Sequence, residues 1–324
     1  MITLKNIADE CQVSTSTVSL VLNRPQKISK EVRDKVYETV IRYGYIKDKS
    51  VAFKQIGLVI NRFDTDFFGD FYGDVIYGLL NKSSLMNLNI RILRDFDVDY
   101  YDVHDLQGII FVGKTPSEFL AKAKKFKIPF ICSGHPNYEH PDVPTVYLSR
   151  ITNTHNLVKV ILNNGHTEIA IMLGESDERD IIRKEFIDTI QTHNPYFRPD
   201  LVYVADYDDI QTVEVAWCDI ISKAPKVTAI MCANDLLAYY CYRCADKYDI
   251  NIPKQMTITG FDGINFPRHV IQPTPELTTV RGDRIKLGIK SIEMLQSVIQ
   301  GQKLAETLNQ MTGSLFLGNS VGRV

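Results

Sequence analysis

A row of short hydroxyl side chains, Ser14, Thr15, Ser16, Thr17 and Ser19, is the first feature of the chain whose residue types could do chemistry. Small hydroxyls at a helix N-terminus let the backbone come close to a phosphate. They also donate and accept hydrogen bonds at base edges. Simple capping of the helix accounts for Ser and Thr at the same place, so on residue type alone both readings stand. Elsewhere the chain offers little to a catalyst. Its seven histidines show no metal spacing, and no phosphate loop, dinucleotide fingerprint, Gly-x-Ser-x-Gly or catalytic Cys pattern occurs. Cys241 and Cys244 lie three apart on an expected helix with no second pair at zinc-site spacing, and read as buried thiols. Neither an enzyme nor a bound cofactor is expected.

The elements that must carry the hydroxyl row come in two styles. Over the first 45 residues the apolar positions recur at helical spacing in three short stretches: Leu4, Ile7, Ala8 and Cys11; Val18, Val21 and Leu22; Val32, Val36 and Val40. Ser14 is placed to cap the second helix and Ser29 the third, with Gly44 at the end of the third. From Ile56 the pattern changes to short apolar runs at Ile56–Ile60, Gly108–Val112, Ile128–Cys132, Ile169–Leu173, Leu201–Ala205, Ala229–Ala233 and Thr257–Phe261. Helical stretches separate most of them, as at Val75–Leu85, Thr152–Asn163 and Leu236–Tyr248. Strands alternating with helices mean parallel sheets covered on both faces, and so many runs imply two sheets.

Composition sets the outer bounds. With 324 residues, 44% hydrophobic and 23% charged, the chain is ordinary globular material, long enough for a head and a two-lobed body. The start lacks an apolar stretch behind a basic one, no run is apolar enough to span a membrane, and six scattered cysteines suit a reducing compartment. A cytoplasmic location is therefore expected. The net charge of −2 hides an asymmetry, since residues 1–54 hold ten Lys/Arg against six Asp/Glu. A basic head on an acidic body suggests that the head meets a polyanion.

Taken as a string, Thr3-Leu4-Lys5-Asn6-Ile7-Ala8-Asp9, Val13-Ser14-Thr15-Ser16-Thr17-Val18-Ser19, Val21-Leu22-Asn23-Arg24-Pro25, Ile28-Ser29, Arg33-Asp34-Lys35-Val36 and Tyr43-Gly44-Tyr45 resemble the DNA-binding head of the LacI-type (lactose/galactose-repressor) family. The resemblance implies a helix-turn-helix whose second helix reads the major groove through Thr15, Ser16, Thr17 and Leu20. Ser14 and Ser19 lie on the same helix. Thr3 and Leu4 would stand at the phosphates, with Asn23, Ser29 and Tyr45 holding the DNA backbone. Two departures are visible. Cys11-Gln12 replaces the usual Ala-Gly before the turn, so the turn must form without glycine, and the apolar Leu20 could touch a thymine methyl but not pair with guanine.

Body segments extend the likeness: Asn164–Gly174, Ala229–Ala238, Ile258–Gly263 and Pro275–Val280. They imply the fold of periplasmic sugar-binding proteins, an α/β body of two doubly wound parallel-sheet lobes. The expected organisation is a head over 1–46, a linker over 47–55 and a sensing and dimerisation body over 56–324. Within the body the first lobe would take about 56–149 and 281–307, and the second about 150–280 and 308–324. Ligands of such sheets bind beyond the carboxyl ends of the strands, where Asn234 and Asp262 would suit the hydroxyls of a small polar effector. An Asp-Gly turn is the competing reading of Asp262. The aromatic pair Phe71-Tyr72 resembles the pair that lines the family's cleft and, with Arg183, joins the effector candidates, helix core being the competing reading of the pair. The family's pocket arginine aligns with Ile182, leaving Arg183 about 100° away around the helix. Ser149-Arg150 stands where an Asp-Asn pair is usual, and the connection from Arg94 to Leu106 is short.

These residues imply a sequence-specific regulator, a repressor, acting as a homodimer on a near-palindromic double-stranded operator, with first-lobe helices such as Val75–Leu85 at the interface. The effector would be a sugar or similar molecule. The alternative is a regulator controlled by a protein partner, or by none, with a decayed pocket. An α/β enzyme with an accessory head is a third possibility that no motif supports. The linker is shorter than in relatives. Ser50-Val51-Ala52 resembles a remnant of the usual hinge-helix pattern, but Phe53 replaces its Arg and no leucine follows. Weaker DNA bending is expected, since the family's leucine wedge is what kinks DNA in the minor groove.

Overall fold

The computed structural model describes residues 2–23, 27–45, 55–60, 69–93, 103–113, 115–135, 140–149, 151–174, 181–206, 209–264 and 274–324. The linker expectation, Phe53 included, lies outside these residues, apart from Gln55.

Three helices open the chain: α1 (Leu4–Cys11), α2 (Thr15–Asn23) and α3 (Lys30–Tyr43). Their apolar stripes meet in one small core of Ile7, Ala8, Cys11, Val18, Val21, Leu22, Val36, Tyr37 and Val40, with Leu4, Val32 and Tyr45 packed on its edge. Each fully buried aliphatic side chain contributes about 1.5–3 kcal/mol, which is what lets such short helices persist. Gly44 ends α3 in the left-handed conformation, as its position suggested. Ser29 does not behave as expected: it occupies the N-cap position of α3, but its side chain makes no cap hydrogen bond.

The rest alternates as read: β1 (Gln55–Ile60), α4 (Gly69–Leu85), β2 (Asn89–Leu93), β3 (Leu106–Val112), α5 (Ser117–Phe126), β4 (Phe130–Gly134), β5 (Thr145–Ser149), α6 (Ile151–Asn163), β6 (Ile169–Gly174), α7 (Ile181–His193), β7 (Val202–Ala205), α8 (Ile210–Lys223), β8 (Ala229–Cys232), α9 (Asp235–Lys247), β9 (Thr257–Thr259), β10 (Thr279–Arg281), α10 (Arg284–Ile299), β11 (Leu308–Thr312) and β12 (Ser314–Phe316). One sheet has six strands in the order β11-β5-β4-β3-β1-β2, a second has four in the order β7-β6-β8-β9, and β10 pairs with β12. Strands β1 to β4 pair in parallel, as do all four of the second sheet, whereas β10 and β12 are antiparallel.

Most strands shift by a residue or two at an end, the run Thr257–Phe261 for example stopping at Thr259, and two begin later than their apolar runs. The run expected over Ile128–Cys132 enters the sheet only at Phe130, because Pro129 has no amide to donate, although its carbonyl accepts from Ile109. Leu201 belongs to a single 3-10 turn, Pro199–Leu201, before β7 begins.

The chain divides into two compact units. One comprises Met1–Arg62, Leu79–Val146 and Gly288–Leu308, the other Phe63–Gly78, Tyr147–Leu287 and Asn309–Val324. The second unit is built around Trp217, Ile171, Ile230 and Ile258. Its core holds three free thiols, Cys232, Cys241 and Cys244.

Candidate nucleic-acid interface and effector residues

In the head, each helix end is settled by residues a few positions away. Thr3 caps α1: its hydroxyl accepts from the Asn6 amide at 3.4 Å, while Asn6 Oδ1 accepts from the Thr3 amide at 2.9 Å. The turn that the resemblance would give to a glycine is made by Gln12, at φ 56° and ψ 41°, whose amide donates to the Ala8 and Asp9 carbonyls. A side chain in this region costs roughly 1–2 kcal/mol. Helix α2 then starts from Ser14, whose Oγ accepts from the Thr17 amide at 3.0 Å. The same oxygen lies 2.6 Å from Ser16 Oγ and 2.8 Å from Thr17 Oγ1. Capping and the exposed hydroxyl cluster are therefore one arrangement at the first turn of α2.

Ser14, Thr15 and Ser16 are exposed, whereas Thr17, Ser19 and Leu20 are half-buried. Thr3 and Ser29 are exposed as well, and Tyr45 is half-buried against the head core. Leu4 also packs there, so part of its surface belongs to the core stripe. The Asn23 side chain lies outside the described residues.

In the body the expected effector residues fare differently. Asn234 is only 4% exposed and caps α9, its Oδ1 accepting from the Leu237 amide at 2.9 Å. Asp262 follows β9 in a turn and stands at φ 99°, a left-handed value that side-chain-bearing residues seldom adopt. Tyr72 lies half-buried on α4 and Arg183 half-buried on α7, while the Phe71 side chain lies outside the described residues.

Two residues that sequence reading passed over flank the Asp262 turn, each with a partner of its own. Asp235 is 1% exposed, and burial pushes its carboxyl up to about 8, against the pull of the Thr279 hydroxyl. Arg284, 5% exposed, donates to the Asp262 carbonyl at 2.8 Å and the Gly263 carbonyl at 3.3 Å, and is paired with Asp74. The signal in the sequence was faint: an acid next to Asn234 in the first turn of an apolar helix, and an arginine directly after Gly282-Asp283. Among the described residues no group of three or more His, Cys, Asp or Glu could hold a metal. No helix among them is long and apolar enough to cross a membrane.

Comparison with known proteins agrees with this architecture. Residues 3–48 match the family of bacterial regulatory proteins of the lacI type, and residues 158–321 match the periplasmic binding protein-like domain. The chain is 24% identical over 312 residues to a probable HTH-type transcriptional repressor, ExuR, of Bacillus subtilis, covering 92% of each. Among solved structures it is similar to the regulator CelR in complex with cellobiose (TM-score 0.69, 18% identity, 99% of this chain and 100% of that one). It is also similar to the lac repressor dimer bound to operator and the anti-inducer ONPF (TM-score 0.68, 16% identity, 99% of each chain). The head with its hydroxyl cluster, the parallel-sheet body and both sequence matches lead to one assignment: the chain belongs to the LacI family of bacterial regulatory proteins, non-enzymatic transcription regulators that bind DNA.

Proposed function

We propose that this protein is a cytoplasmic repressor that binds a near-palindromic operator as a homodimer, reading bases with Thr15, Ser16, Thr17 and Leu20, and releases or tightens its grip when a small polar effector binds near Asp262. The observation that carries this reading is the exposed Ser14-Thr15-Ser16 cluster at the start of a helix that rests on its own small core. One such helix offers too little surface for operator-grade affinity, and a dimer that engages two half-sites about one helical turn apart supplies the rest. That the relatives named above are a repressor, a cellobiose-bound regulator and an operator-bound dimer supports it.

The experiment is genome-wide mapping of bound sites followed by sedimentation of the purified protein with and without the recovered DNA. Two-fold-symmetric sites bound by a dimer are expected. A monomer at micromolar concentration on asymmetric sites would overturn the reading. In the linker, the sequence favours weak bending of the operator. A FRET assay that finds a sharp central kink, lost in Phe53→Ala, would show instead that Phe53 wedges into the minor groove.

A further inference from the structure

We propose that Asp235 and Arg284 are positioning residues of the effector site: they grip the Asp262–Ile264 turn from opposite sides and so fix how Asp262 is presented. This rests on the reading of Asp262 as an effector contact.

The turn's polar groups are divided by sign. Its Ile264 amide goes to a carboxyl, donating to Asp235 Oδ2 at 2.7 Å. Its acceptors go to a guanidinium: Arg284 Nη1 donates to the Asp262 carbonyl and Nη2 to that of Gly263. Each gripping residue is itself held. Thr279 Oγ1 donates to Asp235 Oδ1 at 2.5 Å, and the Asp235 amide donates to the Phe261 carbonyl at 2.8 Å. Arg284 Nε and Nη2 both lie 3.0 Å from Asp74 Oδ2. All of these residues belong to the second unit.

The surroundings leave the turn little choice. A Cβ at Gly260 would fall 2.2 Å from Asp235 Oδ1, and one at Gly263 2.4 Å from Arg281 Cγ. Gly263 is at φ 64°, and Asp262, with a side chain, is held at φ 99°. A plain Asp-Gly turn needs none of this, because water satisfies its backbone and the favoured dihedrals are reached locally. Here a carboxyl and a guanidinium are both buried, which costs desolvation, and a rare backbone conformation is over-determined from two sides. Such strain is characteristic of residues whose orientation matters to a ligand.

Hydrogen exchange of the full-length protein, read at single residues by mass spectrometry, tests the grip at the Ile264 amide, with the amides of Ile169–Gly174 as internal control. Asp235→Ala is expected to speed exchange at that amide at least tenfold and leave the control unchanged. Asp235→Asn should restore protection, since a carboxamide accepts from Ile264 and donates to Thr279 Oγ1. Arg284→Lys should not, because an ammonium cannot bridge two carbonyls and Asp74 together. Turn exchange within twofold of wild type in Arg284→Lys, or in Asp235→Ala where that variant folds, overturns the proposal. So does an Asn variant as unprotected as Ala. The effector reading stands or falls separately: Asp262→Ala is compared with wild type in calorimetric titrations with cellobiose and a panel of common sugars. An effector response that survives Asp262→Ala, alongside a loosened Ile264 amide in Arg284→Lys, would remove the role of Asp262 and leave the grip.

Discussion

At the start of α2 and at the Asp262–Ile264 turn, backbone groups without regular partners are satisfied in different ways. In the head the partners are neighbours: Ser14 serves Thr17, three residues on, and the cluster faces solvent. In the body they are remote, with Arg284 binding a carbonyl 22 positions away and Asp74 lying 210 positions from Arg284. In the head, losing the Ser14 cap costs about 1 kcal/mol, but the Ser16 and Thr17 hydroxyls can be edited with little effect on stability, because water replaces each exposed bond. The body's arrangement cannot, because a lost partner leaves a buried group with no water to turn to. On the proposed reading, DNA recognition by Ser16 and Thr17 is separable from folding, and presentation of Asp262 to an effector is not.

The largest effect that would sharpen this contrast is at Asp235. Replacement by Ala strands the Thr279 hydroxyl and the Ile264 amide, and should cost on the order of 3 kcal/mol in urea unfolding. Asn should cost less than about 1 kcal/mol, as it keeps one acceptor and one donor in place. The pH dependence has a definite sign. The folded carboxyl titrates near 8 rather than at the ordinary 3.8, so the fold holds the proton more tightly than the unfolded chain does. This contribution is complete below about pH 4 and is lost as pH rises towards about 8. Asn should flatten that slope, and an unchanged profile would mean that Asp235 is ionised in the fold.

An intermediate effect belongs to the head. Ser16→Ala and Thr17→Ala should each weaken operator binding by roughly 1–3 kcal/mol while nonspecific affinity and melting temperature barely move. Gel-shift titrations against operator and scrambled DNA make the comparison. Equal losses on both DNAs would place these hydroxyls on phosphates rather than bases, and no loss on either would take α2 out of the groove.

The smallest effect is at Gln12. Glycine adopts its left-handed conformation without steric penalty, so Gln12→Gly should stabilise the head by up to about 1 kcal/mol, the gain offset in part by backbone entropy. A head that melts lower after this change would show that the Gln12 side chain contributes contacts that outweigh its backbone cost.

What could be read directly from the chain was whatever repeats locally. The three helical stripes of the head, the alternation of apolar runs and amphipathic stretches, and the Ser14 cap all follow from periods of a few residues, and all reappear in the fold. The short strands at Asn89–Leu93, Thr145–Ser149, Thr279–Arg281, Leu308–Thr312 and Ser314–Phe316 went unread, since brief or half-polar segments carry no periodic signal and become strands only when a neighbour supplies the ladder. The Ser29 side chain looked like a cap and is not one, because residue type gives the capacity to bond while chain direction decides whether the bond forms. Asn234 and Asp262 were legible as polar residues at strand ends, yet the purpose of Asp235 and the strained φ of Asp262 were not. They depend on Arg284, Thr279 and Asp74, whose approach is fixed by packing across the second unit and leaves no mark at their own positions in the sequence.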